Sequence, residues 1–219
     1  MNIALNENCM DVMKRYPDKY FDLAVVDPPY GDIPKGGYMT GTGGGLVKQI
    51  AYHDAVWNQN KPDKAYFEEL FRVSKDQIIW GANYFLPEID KSSPCWIVWD
   101  KLRPDGVNYA DCELAWTSFD RAARVFHYRW NGFIQQNMKN REQRIHPTQK
   151  PTDLYRWIFH HFTHPGFKVL DTHLGSGTSR RAALEFDLDF VGCEIDKIYF
   201  DQQEQAWEEH CLQVRMEGV

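Results

Sequence analysis

Val25-Val26-Asp27-Pro28-Pro29-Tyr30 joins an apolar run to an acid, two prolines and an aromatic ring. Residues 23–26 are short, β-rich and apolar, which predicts a buried parallel strand. Asp27 then emerges at its carboxyl end, where open α/β sheets place their ligands. Pro28 fixes its own φ and biases Asp27 away from the α region. With Pro29 it stiffens the turn and removes two backbone donors, leaving the carbonyls around Asp27 and Pro28 to accept. A carboxylate and an adjacent carbonyl can accept both N–H groups of an aromatic amine, and the Tyr30 ring offers a flat stacking surface. A plain strand-ending turn with a solvated aspartate would read the same way in isolation.

The 219 residues suffice for one α/β domain with a sizeable core. A hydrophobic content of 43% and a charged content of 26% exclude disordered and fibrous classes. The five cysteines, at positions 9, 95, 112, 193 and 211, form no C-x-x-C pair and no zinc-like spacing. They read as reduced thiols in a cytoplasmic protein with no metal site. No basic leader and no run approaching a membrane span is visible, so no membrane partner is expected.

A net charge of −6 argues against a polyanionic partner, but the charge is unevenly spread. Between positions 121 and 156 stand eight basic residues against two acids; from position 185 onward stand ten acids against two basic residues. An acidic body with one basic segment fits a protein that touches a polyanion on one face, although solvated faces alone would give the same counts.

Along the chain, a strand at Ile3, a helix around Cys9 and the strand ending at Asp27 come first. Residues 31–60 carry glycines at 31, 36, 37, 41, 43, 44 and 45, a density that predicts a mobile Gly-rich loop, either closing over a ligand or acting as a linker. Pro62 predicts a helix start, and strands follow at 77–80, 96–99 and 112–117. Their tryptophans read as sheet packing, while Asp100 and Lys101 end a strand that could face the site. Residues 118–145 mix basic side chains (Arg121, Arg124, Arg129, Lys139, Arg141, Arg144) with aromatic rings and amides. Those are the groups that contact phosphates, stack on bases and read base edges, and an edge hairpin would look similar. A helix from Thr152 to about Phe162, a strand ending at Asp171, a helix, a strand ending at Glu194 and a last helix complete the pattern.

The turn Gly175-Ser176-Gly177-Thr178 lies between a strand and a helix, and Glu194 ends the next strand, 19 residues after Gly175. Such a unit binds a nucleoside: glycines admit the ligand to the backbone, and the second acid accepts from ribose hydroxyls. Arg180 stands where the dinucleotide fingerprint wants a third small residue, so a nicotinamide cofactor is the weaker reading. It would also leave 27–30 without a role.

Three motifs in one order carry a resemblance. Asp27-Pro28-Pro29-Tyr30, then His146-Pro147-Thr148-Gln149-Lys150-Pro151, then the strand ending at Asp171 with its Gly-Ser-Gly turn resemble the β group of DNA amino-methyltransferases. The resemblance covers most of the chain. It implies a Rossmann-like methyltransferase fold, an α/β mostly parallel twisted sheet with helices on both faces and permuted motif order, as a single methyltransferase domain over 1–219. It also implies S-adenosylmethionine as cofactor and transfer of its methyl group to the N6 amine of adenine in DNA. In this reading Asp27, Pro28, Pro29 and Tyr30 are the catalytic motif. Asp171, Gly175, Ser176, Gly177 and Thr178 lie against the cofactor, Glu194 holds its ribose, and Thr148 and Lys150 reach its methionine end. The family's Asp-Pro-Phe is Asp171-Thr172-His173 here, which alters the turn beside the methionyl group; His173 reads as a solvent-facing loop histidine. Residues 118–145 become a small DNA-recognition insertion. So short an insertion predicts a short recognition site or a homodimer that completes the DNA surface, in a bacterial or phage-encoded enzyme. Cytosine-N4 methylation, RNA methylation and a non-catalytic partner subunit are the alternatives.

Overall fold

In a computed structural model, which describes residues 1–31, 61–104, 110–131 and 134–217, the apolar run before Asp27 is a central strand. The chain opens with β1 (Asn2–Leu5), α1 (Cys9–Met13) and β2 (Phe21–Val26), then continues through α2 (Lys64–Val73) directly into β3 (Ser74–Trp80). A 3₁₀ turn (Ala82–Tyr84) and α3 (Leu86–Ile89) lead to β4 (Trp96–Asp100), β5 (Cys112–Thr117) and β6 (Arg124–His127). A small hairpin of β7 (Trp130–Asn131) and β8 (Ile134–Gln135) precedes α4 (Thr152–Phe162). The last unit is β9 (Lys168–Asp171), α5 (Thr178–Glu185), β10 (Asp189–Cys193) and α6 (Lys197–Glu217).

Eight strands form one sheet in the order β1-β10-β9-β2-β3-β5-β4-β6. All pairings are parallel except those of β5 with β3 and β4. Side chains alternate between two cores, as the period of a strand requires. Leu23, Val25, Ile78, Trp80, Val169 and Phe190 face α4 and α5. Ala24, Val26, Ile79, Leu170 and Val191 face α1, α2 and α3. Covering both faces explains the continuously apolar strands. Trp80, Trp99 and Trp116 are fully buried in these cores. This is the mostly parallel sheet with helices on both faces that the resemblance implies.

Local chemistry sets the element ends. α2 begins two residues later than Pro62 suggests, because Asp63 caps it by accepting from the Tyr66 N–H at 3.0 Å. α4 follows Pro151, which has no capping side chain. Glu142 supplies the missing acceptor from a distance: its carboxylate takes the Thr152 N–H at 3.0 Å and the Thr152 hydroxyl at 2.7 Å. Gln135 clamps Glu142 in turn, accepting from its N–H at 2.8 Å and donating to its carbonyl at 2.9 Å. The described part of 118–145 is thus an edge strand and a hairpin tied to α4. The glycine-rich stretch at 32–60 lies outside the described residues. Among those described, no helix is long and apolar enough to cross a membrane.

Candidate active site

The chain leaves β2 toward α2, on one face of the sheet, and leaves β9 toward α5, on the other. β2 and β9 are neighbours, so their exits diverge and open a crevice at their carboxyl ends. A cavity of about 360 Å³ occupies it. Asp27 and Pro29 line it from the β2 side, Gly175, Ser176 and Thr178 from the β9 side, and Glu194 from the end of β10. The turn at 146–150 closes it through Thr148 and Lys150.

At the β2 end, both Asp27 oxygens are engaged. Tyr30 OH donates to Oδ1 at 2.7 Å, and Lys150 Nζ donates to Oδ2 at 2.5 Å. Burial, then the neighbouring Asp27 charge, pushes the Tyr30 phenol well up. The Tyr30 ring stacks on Tyr84 with centroids 5.1 Å apart and planes at 20°, and meets Phe85 edge-on. Gly81, at φ +66°, makes this packing possible: a Cβ there would stand 2.1 Å from the Tyr30 ring. Lys150 also faces Glu113, with Nζ 3.0 Å from Oε2, and Lys101 Nζ lies 2.5 Å from Glu113 Oε1. Burial would raise the Glu113 carboxyl, but Lys150 and Lys101 outweigh it and hold it at about 2. Burial likewise works against the Lys150 ammonium, and Asp27 and Glu113 overcome it, raising its pKa.

At the β9 end, Asp171 lies behind the cavity rather than in its lining. Its carboxylate accepts from Ser179 Oγ at 2.5 Å and the His173 N–H at 3.0 Å, bracing the turn, and burial lifts it to about 7. Gly175 donates its N–H to Glu194 Oε2 at 2.9 Å, and Asp196 donates to Oε1 at 2.9 Å, so Glu194 is fixed by backbone. Gly177, at φ +68°, caps α5 and backs onto Gln203. His173 departs from the solvent-facing reading. Its ring packs on Tyr66, Nδ1 is 2.9 Å from Thr172 Oγ1, and it lines the cavity. Burial lowers it to about 4.

Lys150, expected at the methionine end, lines the cavity and is bonded to Asp27. The six basic candidates separate. Arg121 donates to the His161 carbonyl at 3.1 Å and lies over Phe119 and Phe162, 4.9 Å from each ring centroid. Arg124 starts β6, at the end of the sheet away from the cavity. Arg144 donates to the Pro147 carbonyl at 3.1 Å and lies over Trp130. Arg129, Lys139 and Arg141 are exposed and follow the carboxyl end of β6, on the cavity's edge of the sheet. Residues to which the sequence assigned no role are Glu113, Tyr84, His146 and the Glu7-Asn8-Cys9 connection, the last two lining the cavity. The lone acid in the apolar run 112–117 was the visible signal for Glu113; Tyr84 gave none.

The lining suits a nucleoside. Glu194 is an acceptor at a strand end, Ile195 beside it exposes 59% of its surface at the cavity, and the N-terminus of α5 is adjacent. The family model described as DNA methylase, of the N6/N4 class, matches residues 95–205, more than half of the chain. The chain is similar to the type II methyltransferase M.HinfI of Haemophilus influenzae, with 21% identity over 95% of this chain and 69% of that protein. It is also similar to M1.MboII of Moraxella bovis, with 24% identity over 89% of this chain and 92% of that one. Among solved structures, M1.HpyAVI in complex with S-adenosylmethionine superposes with a TM-score of 0.58 at 20% identity, covering 94% of this chain and 100% of the other. The cytosine-N4-specific PvuII DNA methyltransferase gives 0.59 at 10% identity, covering 100% and 94%. With the family model matched over half its length and the fold of those enzymes around its cavity, the chain belongs to the N6/N4 DNA methyltransferases, which use S-adenosylmethionine.

Proposed function

We propose that this enzyme methylates the N6 amine of adenine in DNA, with Asp27 and the Pro28 carbonyl accepting the two amine N–H groups. One observation carries the reading: a single cavity is lined both by Asp27 and Pro29 and by Gly175, Ser176 and Glu194. An acceptor for an amine and a holder for a nucleoside therefore share one space. The adenine assignment rests on the Asp-first form of the motif, which the resemblance associates with adenine.

S-adenosylmethionine, when bound, supplies a methyl group already made electrophilic by its sulfonium. Glu194 accepts from the ribose hydroxyls, and Gly175, Ser176, Thr178 and Thr148 shape the wall around the cofactor. Asp27 and Pro28 draw the lone pair of the amine out of the base ring by favouring a tetrahedral nitrogen, and they stabilise the positive charge that grows there. Fixing the amine against the methyl donor supplies the alignment. Tyr30 stacks on the base, which leaves the duplex at a cost of about a few kcal/mol. Its partner ring in the free protein, Tyr84, is 43% exposed and gives way to the base.

Arg129, Lys139 and Arg141 meet DNA phosphates, while Arg121 and Arg144 serve mainly to pack the segment. Neutralising Lys139 and Arg141 together is expected to reduce the slope of log affinity against log salt by about 1–2, with cofactor binding unchanged. An unaltered slope removes them from the interface. A homodimer would extend this surface, and sedimentation of the enzyme with and without DNA reads it.

The base is tested by transfer of labelled methyl from S-adenosylmethionine to unmethylated DNA, followed by separation of the nucleosides. Label in N6-methyladenine is expected. Label in N4-methylcytosine keeps the chemistry of Asp27 and overturns the base; no label in DNA, with label in RNA supplied in a parallel reaction, overturns the polymer.

A further inference from the structure

Four charged side chains from three strand ends and one turn meet beside the cavity. Asp27 follows β2, Glu113 lies in β5, Lys101 follows β4 and Lys150 belongs to the turn at 146–150. The order of contacts is Asp27–Lys150–Glu113–Lys101, at 2.5, 3.0 and 2.5 Å. Lys150 is the most enclosed of the four, with 3% of its side chain exposed, and its ammonium lies 5.3 Å from the centroid of the Trp80 ring.

A buried ammonium on Asp27 alone would form a neutral pair. A neutral pair offers little to a nitrogen that becomes cationic as it is methylated. A second carboxylate on the same ammonium shares its charge between two acids and so leaves Asp27 less fully neutralised; Lys101 anchors Glu113 from the outer side, and the four charges together sum to zero. We propose that Glu113 is a positioning residue for methyl transfer: acting through Lys150, it holds the Asp27 carboxylate in place and keeps negative charge where the substrate amine becomes cationic. This rests on the reading of Asp27 as the amine acceptor. It also assigns Lys150 to Asp27 rather than to the methionine end of the cofactor.

The test is single-turnover methyl transfer at saturating cofactor and DNA, with the cofactor dissociation constant and thermal melting measured on the same proteins. Glu113→Gln keeps the shape and removes the charge. The transfer rate is expected to fall about 10- to 100-fold, with the dissociation constant of S-adenosylmethionine within about twofold of wild type. Glu113→Asp, which keeps the charge, recovers part of the rate. The double variant Glu113→Gln/Lys150→Met loses no more than the worse single variant, because both act through one carboxylate. A Glu113→Gln enzyme at the wild-type rate overturns the proposal. So do folded Gln and Asp variants of equal rate, additive losses in the double variant, or a loss that lies in cofactor affinity. Asp27→Ala run alongside separates the two claims. If it keeps its rate, the amine-acceptor reading falls; if it is inactive while Glu113→Gln is not, only the role of Glu113 falls.

Discussion

His173 is a neutral imidazole in the cavity wall, pinned through Nδ1 to Thr172, whose hydroxyl is also 2.6 Å from Tyr66 OH. Burial keeps it from taking a proton until about pH 4, whereas an unfolded imidazole does so near 6.5. Between those values unfolding takes up a proton, so stability falls as pH is lowered through the window. His173→Phe removes this linkage. Relative to wild type, the variant is expected to gain about 2 kcal/mol between pH 7.5 and pH 5, read from denaturant midpoints. A difference that stays constant with pH contradicts the burial of a neutral His173. Asp27 and Glu194 were legible in the sequence because each is an acid that ends an apolar run. His173 was not, since its neighbour Tyr66 lies more than a hundred residues away in the chain. Glu113 was visible as a lone acid in an apolar run, but its partners were hidden for a related reason: only the β4–β5 register, with Trp99 opposite Glu113, brings it beside Lys101 and Lys150. Lys150 was placed by its motif, and the motif does not say which way an ammonium turns.

At the scale of elements, long strands and helices were legible and short ones were not. The strands before Asp27, Asp171 and Glu194 stand where their apolar runs predict, because burial on both faces leaves an unmistakable pattern. β6, β7 and β8 have four, two and two residues and carry no such pattern. What orders this region is a set of side-chain bonds, chiefly Gln135 to the Glu142 backbone and Glu142 to the start of α4. Glu142→Ala leaves the Thr152 N–H without its acceptor and is expected to cost about 1–2 kcal/mol, lowering the melting temperature by roughly 2–8 °C. Glu142→Gln, which can still accept, loses less. If alanine and glutamine melt alike at the wild-type temperature, Glu142 does not cap α4.

At the scale of the molecule, the sequence order and the spatial order differ. The Asp27 unit comes first in the chain and the glycine turn last, yet β2 and β9 are adjacent in the sheet. The motif order made one shared site readable through resemblance, but periodicity alone does not pair strands 140 or so residues apart. The divergence of the β2 and β9 exits is the physical reason for the cavity, and the proposal that both halves serve one reaction rests on their lining it together. The measurement that tests this most directly compares wild type with Asp27→Ala for methyl transfer to DNA and for S-adenosylmethionine binding by calorimetry. The account predicts that Asp27→Ala loses transfer by about a hundredfold or more while cofactor affinity stays within severalfold. Transfer that survives the substitution, or that disappears only because the cofactor no longer binds, would contradict it.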